Sequence, residues 1–460
     1  DTLVFNGDFS GGLALHGSQM NSVETIRLAA GHSYNVTTDA AFPHVQIDAS
    51  QLGVGDSLVY DGSATTAGED IIGGAGDDVL TVGTNGFFDL SKGGNDTVNG
   101  GPSNDGFYMG AALTASDQLD AGGGNGNTME LKGNYSSGLV LAPTTLLNID
   151  TLTLDSGFGY SITTNDATVA AGQTLQVIDI GTSLTFDGSA ETDGNFNVSL
   201  LAGSASVTCG AGDDSVALQL SAAATDTIDG GAGNDTLTVT GAGEGTVVTL
   251  GNNVRHNVEN LHLVTGAVRT LDNDVGAGQT LNVTVGPSSN FDGSHETDGM
   301  FNASVGNGSK FTGGAGDDII TCTSPMSTVK GGLGADTITS SGQIFYAAVG
   351  ESAGTGHDMV DCDVAVQFHL WLAVTAVDAV VSTGGLSQAT FDSDMATDIG
   401  AAQLGVYHAV QFTPNSGDLA GEHFLIVDAN GVAGYQAGQD LVIQLTSSDV
   451  PTLTTSNFTH

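Results

Sequence analysis

Short runs in which apolar and polar residues alternate occur along most of the chain, separated by runs rich in Gly, Asn and Asp. TLQVIDI, from Thr174, and TLNVTV, from Thr280, are examples. Alternation with a period of two predicts short β-strands, and the intervening clusters predict turns. Helical signals are weak except in FDSDMATDIGAAQLG, from Phe391 to Gly405, where acidic residues and Ser near the start and Gly at the end predict an amphipathic helix.

A glycine-rich, acidic hexapeptide that runs directly into an apolar segment recurs five times. Its copies are GGAGDDVLT at Gly73, CGAGDDSVA at Cys209, GGAGNDTLT at Gly230, GGAGDDIIT at Gly313 and GGLGADTIT at Gly331. Longer blocks repeat as well. The segment FDGSAETDGNFNV at Phe186 returns as FDGSHETDGMFNA at Phe291, which is 105 residues later. Such self-similarity predicts stacked repeats whose apolar faces bury one another.

These patterns predict the architecture. We expect an all-β protein with a parallel β-solenoid over residues 1–345, made of about three long repeat blocks. A smaller, β-rich C-terminal segment is expected over residues 346–460.

The composition is strongly acidic, with 52 Asp and Glu residues against 7 Lys and Arg residues and a formal net charge of -45. Like charges at this density repel one another and oppose a compact state unless cations are bound or salt screens them. Metal cations are therefore the expected partners. Nucleic acid is not expected, because the basic residues are scattered singly. No run of about twenty apolar residues predicts a membrane span.

The chemistry of the hexapeptides points to calcium. Ca²⁺ binds six to eight oxygen ligands, including carboxylates and backbone carbonyls, and glycine permits the positive φ values of a chain that curls tightly around an ion. The five copies closely resemble the RTX nonapeptide, GGxGxDx followed by a large apolar residue and one more, which forms the calcium-binding parallel β-roll of secreted bacterial proteins. This resemblance implies a calcium-stabilised, β-roll-like solenoid that holds several Ca²⁺ ions.

The resemblance also implies which residues hold the ions. The sixth-place aspartates would supply carboxylates, and the residues just before them would supply turn geometry and carbonyl oxygens. The implied residues are Gly76, Asp77 and Asp78; Gly212, Asp213 and Asp214; Gly233, Asn234 and Asp235; Gly316, Asp317 and Asp318; and Gly334 and Asp336. SKGGNDTV is a degenerate copy with Asp96 in the sixth place, and AGTGHDMV is another with Asp358 there. GGNGNTMEL has Thr128 at that place.

One departure from the family leaves two explanations open. RTX nonapeptides usually occur in tandem, whereas here they are isolated or separated by about 18 to 23 residues. Either the intervening coils supply the missing ligands or some sites are vestigial. The candidate extra ligands lie in the DGSxETDG segments, which are otherwise read as solvated acidic turns; they are Asp187, Glu191, Asp193, Asp292, Glu296 and Asp298.

Two further segments partly match motifs of functional sites. GESAG, from Gly350 to Gly354, matches a nucleophile elbow with Ser352, but the α/β context that an elbow needs is not predicted. We therefore expect no enzyme. DANGVAGYQAGQD, from Asp428 to Asp440, is either a calcium loop with Asp428, Asn430 and Asp440 or an ordinary hairpin turn.

The functional expectation is a non-enzymatic, extracellular, calcium-binding structural protein, similar to RTX-type S-layer proteins and large adhesins. The resemblance implies type I secretion to the surface of a Gram-negative bacterium, with a C-terminal RTX cap and type I secretion region over residues 346–460, and folding on Ca²⁺ binding. Its further partners would be other copies of itself, through self-assembly, or a cell-surface polysaccharide. The alternative is that the chain is the calcium-folding and secretion portion of a larger type I secreted enzyme, a protease or lipase.

Overall fold

The computed structural model describes the chain except for residues 220–225, 242–246, 251–255, 273, 363–365 and 448–449. It is nearly all β, with 43% strand and 5% helix, and it forms a parallel β-solenoid of about 17 turns. The prediction of an all-β parallel solenoid is therefore confirmed. Two compact units divide the chain: unit 1 comprises Asp1–Leu237 and His256–Val258, and unit 2 comprises Thr238–Arg255 and Glu259–His460.

In unit 1, strands of one long parallel sheet, the A strands, are separated along the chain by strands of shorter sheets, which we call B strands. The A strands are β1 Thr2–Phe5, β3 Thr25–Leu28, β5 Gln46–Asp48, β7 Glu69–Ile72, β9 Gly86–Asp89, β11 Gly106–Gly110, β13 Thr128–Leu131, β16 Thr151–Leu154, β18 Thr174–Asp179, β20 Asn195–Leu200 and β22 Ser215–Gln219. The B strands form two parallel sheets. The first contains β2 Phe9–Leu15, β4 Tyr34–Thr38, β6 Leu58–Gly62, β8 Val79–Val82, β10 Thr97–Asn99, β12 Gln118–Asp120 and β15 Leu146–Leu147. The second contains β14 Tyr135–Val140, β17 Gly159–Thr163, β19 Ser183–Asp187, β21 Ser204–Thr208 and β23 Thr227–Asp229. Two B strands, β14 and β15, lie between β13 and β16 along the chain.

Unit 2 follows the same alternation. Strand β24, Thr236–Thr240, lies where the two units divide. The A strands of unit 2 are β26 Asn260–Thr265, β28 Thr280–Val285, β30 Met300–Val305, β32 Ile319–Cys322, β34 Thr337–Ser340 and β36 Asp358–Cys362. Its B strands are β25 Val247–Leu250, β27 Ala267–Thr270, β29 Asn290–Asp292, β31 Lys310–Thr312, β33 Thr328–Lys330, β35 Gln343–Tyr346, β37 Gln367–Leu370 and β42 Phe458–Thr459.

In most strands of the solenoid, every second residue is buried and contributes to the core. In β28, Leu281, Val283 and Val285 are buried, and the residues between them are exposed. The packing of aromatic side chains also repeats from one long sequence block to the next. Phe186 and Phe196 meet edge to face with ring centroids 5.0 Å apart, and the matching rings of Phe291 and Phe301 do so at 5.2 Å. Burying these inward columns is the main stabilising contribution of each coil.

The C-terminal segment has a different construction. Parallel pairing continues past residue 345, through β36 and β37, so the change of architecture follows Leu370. Strand β38, Ala376–Val377, pairs in parallel with β39, His408–Phe412. Strands β39, β40 (His423–Val427) and β41 (Leu441–Leu445) form antiparallel pairs, and β41 pairs in parallel with β36.

The predicted helix is present but shorter than expected. Helix α1 spans Phe391–Asp398 and buries Phe391 and Met395, which are one turn apart. It ends at Asp398, and Ile399 has non-helical φ and ψ values. The next residue, Gly400, is a poor helix former and disfavours continuation of the helix. Among the described residues there are four single 3₁₀ turns: Gly17–Gln19, Val349–Glu351, Gln388–Thr390 and Thr455–Asn457. Within the described part of the chain, no helix is long and apolar enough to cross a membrane.

Candidate metal centre at the stacked acidic turns

The predicted acidic turns lie at the corners of the solenoid, and three pairs of them stack on adjacent coils. The backbone N–H of Asp78 donates to Asp96 at 3.0 Å, over a separation of 18 residues. Asp318 donates to Asp336 in the same way at 2.8 Å, also over 18 residues, and Asp214 donates to Asp235 at 2.7 Å over 21 residues. The separation that looked like isolation in the sequence is therefore one full coil. Each nonapeptide has its partner directly against it.

The first aspartate of each pair uses both carboxylate oxygens as acceptors of backbone hydrogen bonds. Asp78 Oδ1 accepts the N–H of Leu58 from the previous coil at 2.7 Å, and Oδ2 accepts the N–H of Gly74 in its own turn, also at 2.7 Å. The same two contacts recur for Asp214 with Phe196 and Gly210 and for Asp318 with Phe301 and Gly314. These carboxylates face N–H donors, and each oxygen already accepts one backbone hydrogen bond. They therefore have fewer lone pairs left for Ca²⁺ than a carboxylate with an uncommitted oxygen.

A different arrangement holds at the end of the solenoid, around Asp336 and Asp358. Oδ1 of Asp336 accepts the N–H of Asp318, and Oδ1 of Asp358 accepts the N–H of Asp336 at 3.0 Å. Oδ2 of Asp336 is buried without a hydrogen bond. Oδ2 of Asp358 is also buried, near the Tyr346 hydroxyl but outside hydrogen-bonding geometry. Two uncommitted carboxylate oxygens on adjacent coils are a costly arrangement for a metal-free protein and a suitable one for a cation.

Burial dominates the electrostatics of these residues. It raises the pKa of Asp78 to about 6 and that of Asp96 to about 7. Burial, reinforced by the neighbouring Asp358 carboxylate, raises the pKa of Asp336 to about 9, and burial raises that of Asp358 to about 7. A buried carboxylate resists ionisation because the charged form loses its hydration. A bound cation would remove that penalty.

The fifth-place aspartates form a second connection at the rim of each pair. Asp77 Oδ1 accepts the backbone N–H of Asn95 in the stacked turn at 2.8 Å. Asp213 accepts that of Asn234 at 2.9 Å, and Asp317 accepts that of Ala335 at 2.8 Å. All three aspartates are exposed. Each pair of turns therefore presents an inner and an outer carboxylate at the contact between coils.

Close stacking explains the glycines of the first turns. A Cβ on Gly313 would lie 2.1 Å from Asp318 Oδ2, and a Cβ on Gly316 would lie 2.3 Å from the Gly299 carbonyl oxygen of the previous coil. Neither residue has a positive φ. The stacked second turn does have positive φ values, +120° at Gly332 and +115° at Gly334. The expectation of positive φ is therefore correct for the second turns and wrong for the first, where glycine is needed for space.

Several acidic turns were missed in the sequence. Asp105 belongs to GGPSND, in which Ser103 replaces the fourth glycine, and its N–H donates to Asn127 at 2.8 Å. Asp117 continues the column of Asp78 and Asp96, since its Oδ1 accepts the Asp96 N–H at 2.8 Å. The nonapeptide frame that placed Thr128 in the sixth position was wrong by one residue, because Asn127 occupies that position. For Asp105 and Asn127, two glycines at a fixed distance before the residue were the available signal; Asp117, in ALTASD, has no such signal.

The DGSxETDG segments are mainly structural, with one acidic cluster at their edge. Glu191 is buried and accepts the N–H of Val169 at 3.3 Å and of Gly194 at 3.0 Å. Carboxylate oxygens of Asp166, Glu191 and Asp193 lie within 4.8 Å of one another and could hold a metal ion. The sequence did not indicate Asp166, which is 25 residues before Glu191 and meets it only because the coils stack.

The second block uses its corresponding residues in a similar way. Glu296 accepts the N–H of Val275 at 3.0 Å, as Glu191 does that of Val169. Asp187 and Asp292 each accept hydrogen bonds from a nearby serine, and Asp292 also pairs with Arg269 at 2.8 Å. Asp298 is exposed. These hydrogen bonds and the ion pair are consistent with the interpretation of the two segments as acidic turns, and some of them connect neighbouring coils.

Ser352 and the C-terminal loop both have structural partners. Ser352 is fully buried; its hydroxyl donates to the Val442 carbonyl and accepts the N–H of Asp358 at 2.8 Å. Asp428 accepts the N–H of Tyr407 at 2.7 Å, and Asp440 accepts that of Gln436 at 2.7 Å. The loop joins the antiparallel strands β40 and β41, as the hairpin interpretation predicted.

No protein-family model matches the chain, and the searches of curated proteins and of solved structures found no match either. The fold and the site define a class in structural terms: a parallel β-solenoid whose corners carry stacked, acidic, glycine-rich turns.

Proposed function

We propose that the chain is a non-enzymatic, extracellular structural protein of the S-layer or adhesin kind, whose solenoid binds Ca²⁺ between stacked acidic turns. The observation that carries this proposal is the stacking of the nonapeptides on adjacent coils, together with the uncommitted oxygens of Asp336 and Asp358. The proposal extends to secretion from a Gram-negative cell, as the RTX-like motif implies.

The residues that would hold the ions are the inner carboxylates of the second turns and the rim carboxylates beside them. At the end of the solenoid these are Asp336 and Asp358, with Asp317 at the rim. The corresponding residues of the other pairs are Asp96 with Asp77, and Asp235 with Asp213. Bound Ca²⁺ would supply positive charge to carboxylates that otherwise repel one another.

Calcium binding and secretion support each other in this proposal. A net charge of -45 opposes compaction where free Ca²⁺ is low, which keeps the chain unfolded for export. Outside the cell, ions that bind only the folded state stabilise it by RT ln(1 + [L]/Kd), about 2.7 kcal/mol per site at one hundred times Kd.

A structural role also agrees with the state of Ser352. Its hydroxyl is buried and hydrogen-bonded where β36 packs against β41, so it holds these two strands together. It is not accessible to a substrate in this conformation.

The test is isothermal titration of the metal-free protein with Ca²⁺, with circular dichroism recorded in parallel. Wild type should bind several ions and gain β structure. The double variant Asp336→Asn, Asp358→Asn should bind fewer ions, whereas Asp428→Asn, whose carboxylate holds a C-terminal loop, should bind the wild-type number. Absence of Ca²⁺ binding at millimolar concentration, with unchanged circular dichroism in EDTA, would refute the proposal.

A further inference from the structure

The outward side of five A strands in unit 2, β26 to β34, is uncharged. Parallel pairing aligns its side chains in two columns that run across the strands. The first column is Asn260, Asn282, Asn302, Ile319 and Thr337, and the second is His262, Thr284, Ser304, Thr321 and Thr339. None of these ten residues is Asp, Glu, Lys or Arg, in a chain with 52 acidic residues. We call these ten residues the neutral face.

Outward positions elsewhere in the solenoid do carry charges. The B strands of the same unit present Arg269, Asp292, Lys310 and Lys330. The early A strands of unit 1 present Arg27, Asp70, Asp89 and Glu130. The absence of charge therefore distinguishes the neutral face from these strands, and it ends at β36, where Asp361 takes the position next to Thr339.

The neutral face is an ordered array of hydrogen-bonding groups. The Asn302 amide donates to Asn282 at 3.0 Å, and the Asn282 amide donates to Asn260 at 3.2 Å. Neighbouring strands lie about 4.8 Å apart, and outward residues two apart along a strand are separated by about 6.7 Å. Amide and hydroxyl groups thus repeat at regular intervals in two directions on one sheet.

The charge pattern selects the partner. An anionic polymer would be repelled by a protein with a net charge of -45, and a cationic partner would prefer the acidic turns. A protein partner generally needs an apolar, desolvated centre, but Ile319 is the sole large aliphatic residue among the ten residues of the face. An uncharged molecule rich in hydroxyl groups matches both the charge and the hydrogen-bonding capacity.

We infer that the neutral face binds an uncharged polysaccharide that lies along the columns, with sugar hydroxyls bonded to the Asn, Thr and Ser side chains. This inference rests on the proposed function, because it names the partner of a surface protein. The A strands β16 to β22 of unit 1 have a similar outward composition. Their aligned outward residues are Thr151, Thr153, Gln176, Ile178, Asn197, Ser199, Ser215 and Ala217.

The experiment measures binding of the full chain, in Ca²⁺, to cellulose, chitin, a β-1,3-glucan and dextran, with alginate as the anionic comparison. Binding to at least one neutral polymer is expected, with an affinity that is retained in 1 M NaCl because no charges are involved. Alginate should not bind. The double variant Asn282→Ala, Asn302→Ala should lose at least tenfold in affinity.

The matched control is Thr312→Ala, Thr328→Ala, which removes two outward polar groups from adjacent B strands β31 and β33. It should bind as wild type does, and circular dichroism should be unchanged in both variants. Failure of every neutral polymer to bind, or equal losses in both variants, would overturn the inference. So would sedimentation of wild type as a dimer that only the Asn variant dissociates, since the face would then bind a second copy. Calcium titration of the same samples reports separately on the proposed function.

Discussion

The coils of the solenoid and the segment after Leu370 fill their interiors in two different ways. Each coil buries apolar columns but also places a carboxylate in the corner, and Asp318, Asp336 and Asp358 are all at most 1% exposed. The C-terminal segment buries a compact apolar cluster: Leu386, Phe391, Met395, Ile399, Leu404, Val410, Phe412, Phe424, Ile426, Tyr435 and Val442. We therefore expect the stability of the coils to depend on charge and cations in addition to apolar packing, whereas that of the C-terminal segment should depend mainly on packing.

The largest expected effect is that of removing divalent cations. EDTA should strongly destabilise the solenoid over residues 1–345, because several sites each lose about 2.7 kcal/mol of binding free energy. Amide exchange should remain slow in β39, β40 and β41, where the apolar cluster lies. Hydrogen exchange with mass spectrometry checks both parts, and equal protection of the solenoid with and without EDTA would contradict the prediction.

The pH dependence of the metal-free protein should also separate the two regions. Burial raises the pKa of Asp318 to about 7, whereas the unfolded chain titrates near the ordinary value of 3.8. The folded state therefore retains a proton that the unfolded state releases, so this contribution to stability is full below about pH 4 and is lost as the pH rises through about 7. The melting temperature of the solenoid in EDTA should fall from pH 5 to pH 8.

The C-terminal segment provides the internal comparison for this measurement. There, burial raises the pKa of Asp440 to about 6, so a smaller fall is expected. A melting temperature of the solenoid that rises with pH in EDTA would contradict this prediction. Saturating Ca²⁺ should flatten the dependence in the solenoid, because ionised carboxylates bind the cation.

Truncating a side chain of the apolar cluster should destabilise the C-terminal segment and leave Ca²⁺ binding by the solenoid unchanged. Phe424→Ala removes a fully buried ring and should destabilise the C-terminal segment by about 3–5 kcal/mol. The number of Ca²⁺ ions bound by the solenoid should not change. Urea denaturation followed by exchange at β40 measures the loss, and Val432→Ala, at a side chain that is 57% exposed, should change stability by less than about 0.5 kcal/mol.

The smallest and sharpest effect distinguishes two aspartates within one pair of turns. In EDTA, Asp318→Asn should cost about 1–3 kcal/mol, because the new amide donor faces a backbone N–H that the carboxylate had accepted. Asp336→Asn should be neutral or stabilising in EDTA, since Oδ2 accepts no hydrogen bond and an uncharged amide replaces a carboxyl whose ionised form is disfavoured by burial. In Ca²⁺ the order should reverse if Asp336 holds an ion. Chemical denaturation in the two buffers measures all four values.

Much of the fold could be predicted from local patterns, and less of the site could. Alternation in segments such as that of β28 predicted the strands and their buried faces, and the repeats predicted the parallel solenoid. The motif also identified Asp78 and Asp318 as the sixth-place residues of their turns and as expected Ca²⁺ ligands. It did not reveal that their oxygens accept N–H groups from the previous coil, because Leu58 and Phe301 carry no sign of that contact. Asp166 was missed for the same reason.

By itself, the sequence determined the period-two burial, the glycine-rich corners and the excess of negative charge, because these depend on residue type and on spacing within a few positions. The tertiary structure decided which turns lie against each other, since this depends on the number of residues in each coil. It also decided which carboxylates accept hydrogen bonds from backbone N–H groups through both oxygens and which keep one oxygen without a hydrogen bond. Hydrogen bonding between coils depends on backbone positions 17 to 22 residues apart, which local side-chain pattern does not specify.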